Sequence, residues 1–283
     1  MISQNLFRET VQRGYPFVQL AGLDVEKPDL IDLSEIEAVI TQEIYAPQPV
    51  VEIAKCRFCG VCSNYCVRKA IQFNRFVPSV TLIVSRCCAC GNCQKACNRN
   101  GIQMKEKHIG KIIRGSISQH QFIAGELDPD CEFQLPLIKD LLKNLNTEAI
   151  CICDFGPGAG LPVTIALEEM DVAIIVLQNH PDWRLHLDEM IAITTNNIRL
   201  TGLVINKSEH DSTYTPEMKE YCSLKSIPFW GSIPYFSEFK TNTGFDGKLP
   251  SMWPLLPVSG ILDAITNSHK HFQSSYNETF TQH

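Results

Sequence analysis

The sequence contains no apolar run long enough to cross a bilayer. A spanning helix needs about 18 consecutive apolar residues, whereas the apolar run VAIIVL at 172–177 is only long enough for a strand. The first residues, MISQNLFRETVQRG, have neither the basic start nor the unbroken apolar stretch of a signal peptide. We therefore expect a cytoplasmic protein with no membrane span.

The sequence also lacks a large excess of charge of one sign. It has 25 Lys and Arg residues against 31 Asp and Glu, a formal net charge of −6. We find no Lys/Arg cluster of the kind that tracks a phosphate backbone, so nucleic acid is not expected as a partner. A chain of 283 residues can bury one sizeable core and still carry a small second module.

Cysteine, in contrast, is abundant and unevenly placed. The chain has 13 cysteines, and nine of them lie between positions 56 and 97. Disulfides would be expected in a secreted protein, but no signal sequence precedes these cysteines and their distribution is uneven. The composition therefore predicts metal chemistry in a reducing compartment.

Two segments share the cysteine spacing C-x2-C-x2-C-x3-C. They are CRFCGVCSNYC, which starts at Cys56, and CCACGNCQKAC, which starts at Cys87. Three thiolates with two residues between each can surround one iron–sulfur cube. The fourth thiolate, on the following helical turn, reaches the cube that the other copy of the motif surrounds. The spacing thus predicts two [4Fe–4S] clusters. The ligand sets are Cys56, Cys59, Cys62 and Cys97 for one cluster and Cys87, Cys90, Cys93 and Cys66 for the other.

The alternative to iron–sulfur clusters is structural zinc. Zinc needs four ligands in one tetrahedral set, which the doubled spacing with its three-residue final gap fits poorly. Gly60 and Gly91 follow the second cysteine of each copy, where a missing side chain lets backbone N–H groups approach the cluster sulfurs. The segment resembles bacterial-type two-cluster ferredoxins over about residues 50–106. It departs from them at Val67 and Asn98, where those proteins have proline, a change that leaves the ligands intact.

The remaining cysteines are not expected to hold clusters. Cys88 is adjacent to a ligand but off the repeat, and Cys131 and Cys222 are isolated in the sequence. Cys151 and Cys153 alternate along a predicted strand and face the same way, which is typical of small buried side chains.

The chain on both sides of the cysteine segment has an α/β pattern. After residue 132, continuous apolar strands alternate with helix-like runs, which predicts a parallel sheet covered on both faces. The opening ISQNLFRETVQ has a helical pattern, and 33–53 is interpreted as an extended connector. We expect a doubly wound, mainly parallel α/β domain, interrupted by a small α+β ferredoxin-like domain. The predicted parts are 1–49, 50–106 and 107–283, the last with a polar C-terminal tail.

Three short motifs carry a resemblance to a known family. They are LDVEKPDL at 23–30, DFGPGAGLPV at 154–163 and VINK at 204–207. Together with the cysteine segment they resemble MinD-type P-loop ATPases with an inserted ferredoxin domain, relatives of the nitrogenase iron protein and ParA. The resemblance implies a P-loop NTPase fold and a site for ATP and Mg²⁺. It implies nucleotide contacts from Asp24 and Asn206, with Asp154 as the Walker B aspartate.

The phosphate-binding loop of that family is missing from the sequence. No G-x4-G-K-[ST] motif occurs, and MISQNL resembles the helix that follows this loop. Either the true start lies upstream or the loop has been lost. Gly22, Gly156 and Leu161 also depart from the family's motifs. We therefore expect no ATP hydrolysis by the chain as given, and Asp154 is a catalytic candidate only if a loop is restored.

Three functions follow from these patterns. The first is electron transfer through two clusters on a degenerate ATPase scaffold, with a redox partner protein. The second is an ATP-dependent redox or metal-cofactor assembly enzyme, which requires a phosphate loop. The third is an iron–sulfur scaffold or carrier. The resemblance further implies a homodimer, or a heterodimer with a complete ATPase paralogue.

Overall fold

The computed structural model describes residues 2–27, 35–129, 131–194, 198, 200–208, 214–234 and 258–267. These residues belong to two compact units. The cysteine unit is Gln19–Gly156, and the terminal unit combines Met1–Val18 with Pro157–His283. The predicted polar tail and the end of the LDVEKPDL motif lie outside the described residues.

Helices and strands are interspersed along the chain. The helices are α1 Ile2–Gln12, α2 Val61–Asn64, α3 Asn92–Ala96, α4 Gln134–Lys143, α5 Leu161–Leu167, α6 Trp183–Thr194, α7 Thr215–Leu224 and α8 over 258–267. The strands are β1 Val18–Gly22, β2 Glu37–Val51, β3 Ile71–Asn74, β4 Ser79–Leu82, β5 Ile102–Ile117, β6 His120–Leu127, β7 Ile150–Asp154, β8 Val172–Gln178, β9 Leu200–Ser208 and β10 Phe229–Pro234.

The predicted α/β pattern is confirmed. The opening helix is α1, and after residue 132 the chain runs in the predicted order from α4 and β7 to α7 and β10. Parallel pairing joins β1 to β6 and joins β9 to both β8 and β10. The fold is therefore a mixed α/β fold rich in parallel strands. No helix of the described residues is long and apolar enough to cross a membrane.

The cysteine unit contains a five-stranded sheet in the order β2-β5-β6-β1-β7. Its two longest strands, β2 and β5, pair antiparallel from Glu37 opposite Ser116 to Val51 opposite Ile102. The segment interpreted as a connector is thus extended, as expected, but it is hydrogen-bonded into the sheet as an edge strand. The predicted domain boundaries at 50 and 106 fall within this ladder and stay a prediction.

Side chains at the middle of the ladder join three parts of the chain. The imidazole of His108 on β5 lies 2.6 Å from a Glu43 carboxylate oxygen on β2 and 2.7 Å from an Asp128 oxygen just after β6. These two hydrogen bonds, to Glu43 first and then to Asp128, raise the pKa of His108 above its ordinary value. Tyr45, opposite His108 in the register, contacts the imidazole edge-on.

The terminal unit contains a three-stranded parallel sheet in the order β10-β9-β8. Its strands and the helices α6 and α7 share one apolar core, which is what continuous apolar strands require. The buried members of this core are Ile175, Leu177, Trp183, Leu187, Leu203, Ile205, Met218, Cys222 and Ile227. Cys222, for which no role was predicted, is therefore a core residue.

A glycine on β9 makes room for a tryptophan on β10. A Cβ atom at Gly202 would overlap the indole ring of Trp230, which is 6% exposed. The indole thus lies directly on the backbone of the central strand, and this contact fixes the identity of residue 202.

We expect Gly202→Ala to lower the free energy of unfolding by about 1–3 kcal/mol, because the added methyl group overpacks the indole. Gly260→Ala is the matched control, since a Cβ there has no neighbour within 4 Å and alanine favours a helix. Urea denaturation followed by tryptophan fluorescence measures both changes. Equal stability of the two variants would contradict the packing described for Trp230.

Candidate metal centre

The cysteine segment lies between β2 and β5 and has a small core of its own. Strands β3 and β4, which lie between the cysteine motifs, pair antiparallel. The buried residues of this core are Cys62, Ile71, Cys93 and Ile102. Cys66 and Cys97 pack against the same core. Cysteines from both copies of the motif are thus brought into one apolar centre.

The two copies of the motif also fold alike. Corresponding residues are 31 positions apart, as for Cys56 and Cys87 (87 − 56). Gly60 and Gly91 have left-handed backbones with φ of 73° and 72°, and each begins a short helix, α2 or α3. Left-handed residues recur at the same spacing in the pairs Phe58 and Ala89, Gly60 and Gly91, and Lys69 and Asn100.

Backbone N–H groups point at the sulfurs of the cysteines in both copies. The N–H of Ala70 donates to Cys66 Sγ at 3.2 Å, and the N–H of Gly101 donates to Cys97 Sγ at 3.3 Å. The other such pairs, donor first, are Phe58 with Cys56, Ala89 with Cys87, Ser63 with Cys62 and Gln94 with Cys93. Donors to sulfur are the contacts that stabilise cluster-bound thiolates and set cluster potentials.

One cavity of this unit is lined by the complete predicted ligand set of one cluster. The cysteines on its wall are Cys66, Cys87, Cys88, Cys90 and Cys93. Cys66 comes from the first copy and lies with the cysteines of the second. The spacing predicts a crossed ligand set of this kind, and the set stays a prediction.

The other predicted ligand set is Cys56, Cys59, Cys62 and Cys97. Cys56 and Cys59 are close enough to Cys62 for their charges to act on it. The N–H of Gly101 donates to Cys97 Sγ, and a Cβ on Gly101 would be 3.4 Å from the Lys55 carbonyl and 3.5 Å from the Cys56 nitrogen. Gly101 therefore lies beside the start of the first copy.

Among the residues that the structure describes, no three His, Cys, Asp or Glu side chains are grouped so that they could hold one metal ion. Zinc requires such convergence on one point, whereas in a [4Fe–4S] cube each thiolate binds a different iron, so the sulfurs surround a space. Four of the five cysteines on the cavity wall, Cys66, Cys87, Cys90 and Cys93, are the number and type of donor that one such cube takes.

Burial keeps several of these thiols protonated in the absence of a cluster. It raises the pKa of Cys93 to about 11, with the charges of Cys87 and Cys90 adding to the effect. Burial likewise raises the pKa of Cys62 and of Cys87, assisted by neighbouring cysteines. Ligand thiols must lose their protons to bind metal, so iron has to supply the compensating positive charge.

The cysteines outside the motif are placed as packing residues. The Cys151 thiol donates to Gln19 Oε1 and to the Asn146 carbonyl, each at 3.2 Å. Burial raises the pKa of Cys153 to about 12 and that of Cys222 to about 11. Raised values are the opposite of what a reactive thiol needs.

The predicted nucleotide residues fall in different units. In the cysteine unit, the N–H of Leu23 donates to the Asp154 carbonyl at 2.8 Å, and a Cβ at Gly156 would be 3.0 Å from Asp24 Oδ1. Asp24 therefore lies beside the loop that follows β7. In the terminal unit, Asn206 Oδ1 accepts from the N–H of Lys207 at 2.9 Å. The nucleotide roles of Asp24, Asp154 and Asn206 stay predictions.

Comparisons with known proteins give only distant likenesses. No protein-family model matches the chain. No curated protein matches it. Among solved structures, a plasmid partition protein from Borrelia burgdorferi bound to AMPPNP is similar at 13% identity and a TM-score of 0.47, covering 94% of this chain and 92% of that chain.

Two further solved structures are similar to the same degree. A plasmid partition protein from Borrelia burgdorferi has 12% identity and a TM-score of 0.46, covering 94% of this chain and 91% of its own. A ParA family ATPase from Chlorobium tepidum has 11% identity and a TM-score of 0.48, covering 93% and 84%. Since all three TM-scores are below 0.5, no residue role is carried over from these structures.

The two glycines of the repeat are equivalent in backbone but different in surroundings. At Gly60 a Cβ would lie 2.7 Å from the Phe73 ring, whereas at Gly91 it would have no neighbour within 4 Å. We expect both Gly→Ala variants to lose stability from left-handed strain, and Gly60→Ala to lose about 1–3 kcal/mol more from the clash. Thermal melting of the two cluster-loaded variants, made side by side, measures the difference. Equal losses would mean that Phe73 does not cover Gly60.

Proposed function

We propose that this is an iron–sulfur protein that carries two [4Fe–4S] clusters and transfers single electrons. The observation that supports this most is the position of Cys66, which lies with Cys87, Cys90 and Cys93 around one cavity. Crossed ligation of this kind is what the C-x2-C-x2-C-x3-C spacing requires of a two-cluster protein. The protein-side donors to sulfur recur in both halves, which favours two equivalent sites.

The residues of the segment have separable tasks in this proposal. A bound [4Fe–4S] cluster supplies reversible one-electron chemistry. The eight cysteines hold the irons, and the backbone N–H groups of Ala70 and Gly101 stabilise the thiolates of the two crossing ligands. Ile71 and Ile102 in the small core exclude water from the centre. Cys59 and Cys90 are exposed, so each site has one side open to a partner.

The α/β parts of the chain have a supporting role in the proposal. We infer that they form a degenerate MinD-like ATPase scaffold, with the ferredoxin-like segment inserted in it, and that this scaffold docks a redox partner or an ATPase paralogue. An ATP-dependent redox enzyme is the second candidate, favoured by the position of Asp24 beside the loop after Asp154. The sequence has no phosphate loop to complete such a site. An ATP-dependent change in the reduced protein's EPR signal would favour this candidate.

We expect Cys59→Ser to remove one cluster and leave the other. The wild-type protein reconstituted under anaerobic conditions should hold about eight irons, and the variant about four. Iron and acid-labile sulfide assays measure both.

Cys88→Ser is the matched control, because Cys88 is half-buried and lies beside a ligand but outside the repeat. It should keep both clusters. Loss of all iron from Cys59→Ser would mean that the segment folds only when fully loaded. Loss of one cluster from Cys88→Ser, with Cys59→Ser unaffected, would overturn the proposed ligand sets.

A further inference from the structure

The charge of the chain is divided sharply between the cysteine segment and the rest. Residues 52–101 contain eight Lys and Arg, one Glu and no Asp, a net charge of +7 (8 − 1). The rest of the chain has 17 basic and 30 acidic residues, a net charge of −13 (17 − 30). The basic residues of the chain are therefore concentrated among the cysteines, a distribution that the overall charge of −6 conceals.

Most cations of this segment form no ion pair with a residue that the structure describes. Every residue of 52–101 is described, and among its basic side chains Lys55 is the one that pairs with a described carboxylate, that of Glu52, at 2.6 Å. Arg68 is half-buried and the others are exposed. The exposed basic residues are Lys55, Arg57, Lys69, Arg75, Arg86, Lys95 and Arg99. Their field is directed at solvent, where it attracts anionic groups.

Some of these cations repeat with the cysteines. Lys55 and Arg86 precede the first cysteine of each copy, and Arg68 and Arg99 stand two positions after the last. Positive charge therefore occupies equivalent places beside both proposed clusters. Arg68 also lies on the wall of the cavity lined by Cys66 and Cys87.

The same segment exposes apolar side chains between its cations. Phe76 is 96% exposed and Val77 is 68% exposed, both in the turn between β3 and β4. Ile53, Tyr65 and Val67 are also more than half exposed. Exposed apolar groups with charged neighbours are typical of protein interfaces, whose centres are apolar and whose rims are polar.

We propose that residues 52–101 form a cationic docking surface for an acidic electron-transfer protein. This inference rests on the proposed function, because an electron carrier must approach the clusters through the surface that surrounds them. Opposite charges accelerate such encounters and select the partner, and electron-transfer interfaces are small and short-lived. A protein partner is favoured over nucleic acid by the exposed apolar side chains between the cations.

A binding experiment tests the surface directly. The probe is a flavodoxin-class FMN protein of strongly negative net charge, immobilised for interferometry. We expect the cluster-loaded protein to bind this probe at low ionic strength and to bind it about tenfold more weakly at high ionic strength. Absence of binding at low ionic strength, or binding that salt does not weaken, would overturn the proposal.

Charge-reversal variants locate the surface. The test variant combines Arg57→Glu, Arg75→Glu and Lys95→Glu, and none of these residues is a proposed ligand. The matched control combines Lys27→Glu, Lys107→Glu and Lys143→Glu, which are exposed residues of the same unit outside the segment. Both change the net charge equally. The test variant should lose about tenfold or more in affinity and the control should stay close to wild type. Equal losses would overturn the proposal.

Other outcomes distinguish a failure of the docking proposal from a failure of the proposed function. Absence of iron from the anaerobically reconstituted wild type would refute the proposed function itself. Iron-loaded protein that binds a single-stranded DNA oligonucleotide in preference to the acidic protein would assign the cations to nucleic acid. Salt-dependent self-association that the test variant abolishes would assign them to the acidic part of a second copy. Either of these last two results overturns the docking proposal and leaves the clusters in place.

Discussion

The proposed cluster sites depend on one kind of contact, the hydrogen bond from a backbone N–H to a cysteine sulfur. It can form only where the chain turns back on its own cysteine, and it recurs 31 residues later, as at Cys66 with Ala70 and Cys97 with Gly101. The turns that allow it use left-handed residues, which cost energy for any residue except glycine. Two matched sets of such turns are hard to explain as packing, because a buried neutral thiol gains little from these donors.

The turns that carry the cysteines are connected to the five-stranded sheet at both ends. The segment leaves the long strand β2 and returns through its partner β5, so both ends of the small core are held by one antiparallel ladder. Pro47 and Pro49 lie on β2, which is an edge strand where missing N–H groups are tolerated. The cysteine segment is therefore held at both ends by the antiparallel pair of β2 and β5. The basic side chains around the cysteines are exposed to solvent.

Part of this arrangement was predictable from the sequence and part was not. Strands β7 to β10 and helices α4 to α7 follow from apolar periodicity, whereas the two cysteine ligand sets rest on spacing and stay a prediction. The pairing of β2 with β5 was not predicted. The two strands are separated by the whole cysteine segment, and each has an irregular, polar sequence pattern. The left-handed turns at Phe58, Ala89 and Lys69 were missed because those residue types carry no signal for positive φ.

In the proposed function, two clusters lie close together in one small fold, and each takes one ligand from the other half of the repeat. The most direct test is the EPR spectrum of the wild-type protein, isolated under anaerobic conditions and reduced with dithionite. Two neighbouring reduced clusters should give a broadened spectrum with features of magnetic interaction, integrating to about two spins per chain. A simple signal integrating to about one spin, or a zinc-containing protein with no iron signal, would contradict the account.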